Sequence, residues 1–73
     1  MLRIPVDFNT MAVDPKERVY LNVGLYKELS GMLSPGMVAI LYDEELEVEA
    51  TIEFDQQAGI WLAQPNWSTR RDL

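Results

Sequence analysis

At 73 residues and a net charge of −6, the chain is a small acidic domain, near the lower size at which an apolar core suffices unaided. It carries no cysteine and no histidine. That removes disulfides, thiolate metal sites and the commonest general base and metal ligand. Surplus acid repels phosphate, so nucleic acid and anionic membrane surfaces are disfavoured as partners.

The opening residues Met1-Leu2-Arg3-Ile4-Pro5 alternate apolar and polar side chains, which fits neither a signal peptide nor a spanning helix. With no cysteine to oxidise, the cytoplasm is the expected location. Leu2, Ile4, Val6 and Phe8 alternate with Arg3, Pro5, Asp7 and Asn9, predicting a first strand with one apolar face. Pro5 has no N–H to give to a ladder, so this strand belongs at a sheet edge. Met11-Ala12-Val13 reads either as a loop on the core or as more strand, and Asp14-Pro15-Lys16-Glu17 as a turn.

Val19, Leu21 and Val23 give a second strand, broken by Gly24. Leu25, Leu29 and Met32 then recur at helical spacing, predicting a short helical segment over Leu25–Leu33 with Gly31 as a left-handed cap. Ser34-Pro35-Gly36 is a turn that delivers the chain into the third strand. That strand, Met37 to Tyr42, is apolar on both faces. One set, either Val38, Ile40 and Tyr42 or Met37, Ala39 and Leu41, must face the core, and the other needs a cover. The helical segment is the ordinary cover, and another chain is the sharper one.

Leu46 to Asp55 alternates without error and predicts the fourth strand, joined to the third by Asp43-Glu44-Glu45 as an antiparallel hairpin. Asp55-Gln56-Gln57-Ala58-Gly59 closes the next hairpin, with glycine at a left-handed position. Ile60 to Gln64 is the fifth strand, stopped by Pro65. An even register puts Ile60 and Leu62 on the core face with Phe54 and turns Trp61 outward beside Glu53. A slip of one residue exchanges these roles. Residues 66–73 read as a polar C-terminal tail, with Trp67 as its anchor, after one β domain over 1–65.

The expected fold is therefore all-β: a small five-stranded antiparallel barrel or bent sheet, with one short helical segment before the third strand. In layout it resembles an SH3-like barrel, with an OB-like barrel as the rival. This is a likeness of architecture, and such folds host unrelated functions.

The most biased stretch runs from Asp43 to Asp55, with seven acids and no base. Glu47, Glu49 and Glu53 should share one face of the fourth strand, nearest neighbours about 7 Å apart. The ordinary reading is a solvated face, and the sharper one an acidic surface for a protein. A metal site fits poorly, since calcium wants oxygens gathered around a point. Catalysis by paired carboxylates would need one of them buried to raise its pKa. No histidine stands by to activate Ser30, Ser34 or Ser68, and the scattered glycines make no phosphate loop.

The expectation is thus a non-enzymatic protein-interaction domain with no cofactor and no metal. It presents an acidic, aromatic-containing sheet face built from Glu47, Glu49, Glu53, Trp61, Tyr20 and Trp67 to a protein partner. The alternatives are a homo-oligomeric structural or regulatory subunit and, last, a small carboxylate-dependent enzyme.

Overall fold

The computed structural model describes residues 1–8, 18–21 and 31–73. Six strands run through them: β1 (Arg3–Pro5), β2 (Val19–Leu21), β3 (Val38–Tyr42), β4 (Leu46–Asp55), β5 (Ile60–Pro65) and β6 (Arg71–Asp72). They form one curled sheet in the order β1-β3-β4-β5-β2, with β6 also paired to β4. The all-β bent sheet expected from alternation is what the chain builds.

Two aspartates shape the central meander. Asp43 Oδ1 accepts from the backbone N–H of Glu45 at 2.7 Å and of Leu46 at 2.9 Å, which folds the chain from β3 into β4. Asp55 Oδ1 accepts likewise from Gln57 and Ala58. Gly59 closes that second turn at φ +68°, a conformation that costs glycine little and other residues more. Gly36, at φ +89°, donates its N–H to the Ile52 carbonyl and so pins the Ser34-Pro35-Gly36 turn against β4.

The core is the inner face of this sheet. Leu46, Val48, Ala50 and Ile52 of β4 lie inward, with Ala39 and Leu41 of β3, Ile4 of β1, Val19 and Leu21 of β2, and Ala63 of β5. Of the two sets open to β3, the one holding Ala39 and Leu41 thus takes the core. Val38, Ile40 and Tyr42 face outward; Val38 is 45% exposed and the other two are half-buried. Leu33 joins the core. The rest of the segment predicted as helical lies outside the described residues, as do Met11-Ala12-Val13 and the Asp14–Glu17 turn. Gly31, expected as its left-handed cap, sits in a turn with Met32, and the left-handed glycines described are Gly36 and Gly59.

Three features depart from the simplest reading of the chain. First, β1 pairs with β3 in parallel, Ile4 beside Leu41, whereas the other pairings are antiparallel. It lies at the sheet edge, as Pro5 requires. Second, β5 takes the slipped register, with Phe54 opposite Trp61 and Glu53 opposite Leu62. The two rings pack at 4.9 Å between centroids, and this aromatic pair replaces the predicted Phe54–Leu62 neighbourhood. Leu62 consequently lies on the outer face, between Glu53 and Tyr20, yet is only 3% exposed. Third, residues 66–73 do not hang free on Trp67. They make a 3₁₀ turn (Trp67–Thr69) and then β6, which pairs with Leu46 and Glu47.

Candidate functional site

The outer face of β4 carries Glu47, Glu49 and Glu53, as the parity of the strand demands. Their surroundings differ. Glu47 is 9% exposed and sits between two arginines. Arg3 of β1 donates from Nη1 to its Oε2 at 2.8 Å, and Arg71 of β6 approaches Oε1 at 3.6 Å. The guanidinium of Arg3 also lies over the Tyr42 ring, 4.9 Å from its centroid, a further attraction for a cation. Glu53 is half-buried, and Arg18 stands 3.7 Å from its Oε2. Among the described residues, Glu49 has no ion-pair partner. The row read as a solvated acidic stripe is therefore a ladder of acids and bases, open at Glu49.

The aromatics expected beside this row are divided between places. Tyr20 shares the outer face, exposed, across from Leu62. Trp61 faces inward with Phe54 and packs on the core, which corrects its expected place beside Glu53. Its neighbour Leu62 is apolar too, so alternation could not choose between them. Trp67 tilts against Phe8, with 5.9 Å between centroids, and Phe8 in turn packs on the core. Of the six residues proposed as one surface, Glu47, Glu49, Glu53 and Tyr20 share the outer face, spread along β4 and across to β2, and the tryptophans do not join them.

A second cluster of acids lies at the end of the sheet. A cleft of about 660 Å³ opens there between β1 and the β3–β4 turn, lined by Pro5, Val6, Asp7, Phe8, Tyr42, Asp43, Glu44, Glu45 and Leu46. Four of these are acids and none is a base, while Val6, Phe8, Tyr42 and Leu46 give it apolar walls. Asp43 is engaged with its own turn through Oδ1, and Glu44 and Glu45 are exposed. Sequence reading missed this site because Asp7 and Phe8 reach it just after β1, a strand that pairs non-locally. The one available signal was the density of acids at 43–45.

Among the described residues, no three acids are gathered as a metal ion would need, and no helix is long and apolar enough to cross a membrane. In comparisons with known proteins, the chain matches no protein-family model, no curated protein and no solved structure.

Proposed function

We propose that the chain is a non-enzymatic protein-interaction domain, and that its contact surface is the acidic cleft between β1 and the β3–β4 turn. The partner would offer a basic segment with an aromatic or aliphatic side chain. One observation carries this reading. On the outer face, arginines answer Glu47 and Glu53, whereas the exposed Glu44 and Glu45, beside Asp43, line an open cleft on whose walls no base stands among the described residues. Opposite charge across an interface steers encounter and sets orientation, and apolar contact supplies most of the affinity. The cleft has both kinds of wall.

Cross-linked capture from the source proteome, with the wild type compared against a Glu44→Lys/Glu45→Lys variant, tests the reading. A specific partner retained by the wild type and lost by the variant supports it. A partner retained equally by both overturns it. The second reading, a homo-oligomeric subunit, draws on the outward Val38, Ile40 and Tyr42 of β3, of which Val38 is well exposed. Sedimentation at several concentrations separates the two. A wild-type dimer that Val38→Asp converts to a folded monomer would put the second reading in place of the first.

A further inference from the structure

Between Ala50 and Glu47, β4 advances three residues, while the chain opposite it advances six, from Pro65 to Arg71. β5 and β6 thus lie along the same edge of β4 with three surplus residues between them, thrown out as the 3₁₀ turn. At the excursion the ladder is patched. Asn66 donates its N–H to the Glu49 carbonyl, but the Glu49 N–H finds the Thr69 hydroxyl, 2.9 Å away, where a neighbouring strand would offer a carbonyl. On this side of β4 no strand residue stands across from Glu49, whose partner Ile40 lies on the other side, in β3. A cavity of about 290 Å³ opens at that point, lined among others by Ile40, Glu47, Val48, Glu49, Thr69 and Arg71. Further along, Asp72 sits opposite Leu46, an acid beside an apolar neighbour.

We propose that the edge of β4 from Glu45 to Glu49 is a docking groove for an extended segment of another protein in which basic and apolar residues alternate, and that β6 is the chain's own weak occupant of it. The argument is one of pairing and charge. Residues across from Glu47 and Glu49 share the outer face, and residues across from Leu46 and Val48 share the inner one. An uninterrupted strand with bases at the first pair and apolar side chains at the second would answer both carboxylates. It would also replace the hydroxyl patch with a backbone ladder, the mode by which sheet edges take up peptides. The chain's own segment answers one carboxylate only, through Arg71, whose side chain is 78% exposed. So exposed an ion pair holds little, and both residues of β6 are open to solvent. Opening this end is correspondingly cheap, as for other poorly buried termini. The groove shares Glu45 and Leu46 with the acidic cleft, but the inference does not rest on that reading, because Asp7, Asp43 and Glu44 take no part in it.

The test uses the full chain and a fluorescein-labelled peptide of about ten residues that alternates lysine and valine, the pattern a strand on this edge requires. The control has the same composition with all lysines first. Fluorescence anisotropy should give the alternating peptide about tenfold higher affinity. Glu49→Lys should weaken it by roughly three- to tenfold, and Arg71→Glu, which sets a like charge against Glu47, should strengthen it by a similar factor. The Leu73 amide, which donates to the Glu45 carbonyl at 2.8 Å, should exchange faster with solvent once the peptide is bound. Equal affinity for the two peptides, absence of binding, or binding with the Leu73 amide still protected would overturn the proposal. So would exchange of the C-terminal segment between two copies of the chain. Binding lost with Glu44→Lys but untouched by Glu49→Lys would remove the groove and leave the cleft reading standing.

Discussion

Glu47 and Glu49 stand two residues apart on one face of one strand, and the same substitution should have different consequences at each. Glu47 accepts a charged hydrogen bond from Arg3 at 2.8 Å and is almost wholly buried. Bonds of that kind contribute about 1.5–3 kcal/mol when shielded. Arg3 is half exposed, so solvent screening trims the figure to about 1–2 kcal/mol. In Glu47→Gln the amide oxygen still accepts a neutral bond, which recovers some of this. The net loss should be about 1 kcal/mol, a fall in Tm of roughly 4–8 °C for a domain of this size. Glu49→Gln removes a charge with no cation beside it among the described residues and relieves repulsion with Glu47. It should change stability by less than about 0.5 kcal/mol, in the direction of a gain. Circular-dichroism melts of both variants check the contrast. Repeating Glu47→Gln in an Arg3→Met background isolates the pair, where the loss should largely vanish. Equal losses at the two glutamates, or a Glu47 loss undiminished without Arg3, would refute the reasoning.

Leu41→Ala removes a fully buried side chain from the middle of the core and should cost about 2–5 kcal/mol in urea unfolding, enough to leave a small domain largely unfolded. Gly59→Ala places a Cβ on a left-handed residue and should cost about 1–2 kcal/mol by the same measurement. Asp55→Ala strips the acceptor from two turn amides, and a loss of about 1 kcal/mol is expected, as for other caps of this geometry. Calorimetry should show no saturable calcium site tighter than about 100 µM, since Glu47 and Glu53 are engaged with arginines and strung along a strand.

What could be read from the chain was what depends on neighbours in sequence. The β3–β4 hairpin was legible because a run of apolar residues, a turn of three acids and ten alternating residues follow one another, but its register was not, because both faces of β3 are apolar. The β4–β5 register was not, because Trp61 and Leu62 are both apolar and either can face inward. Alternation in β1 revealed its apolar face but not its neighbour, so the parallel pairing with β3 was invisible. The same holds for Glu47, whose carboxylate looked like one of a solvated row. Its partner Arg3 lies 44 residues away in sequence, and nothing local announces it. In the C-terminal segment, Asn66 and Thr69 read as loop residues. There they act as cap and strand substitute, roles that a side-chain oxygen can fill only once β4 is in place.

The parallel placement of β1 has a consequence for how the molecule comes together in time. The β3–β4–β5 meander joins residues close in sequence, so its loops close at small entropic cost and its contacts can form early. Strand β1 is made first during synthesis, yet it has nothing to pair with until β3 has emerged more than thirty residues later. Its docking belongs on the native side of the folding barrier. Substitutions at Ile4 or Arg3 should therefore accelerate unfolding and barely slow refolding, whereas those at Val48 or Ile52 should slow refolding. Until β1 arrives, the outer edge of β3 is an unpaired strand beside an exposed apolar face. The nascent chain is most open to aggregation in that interval.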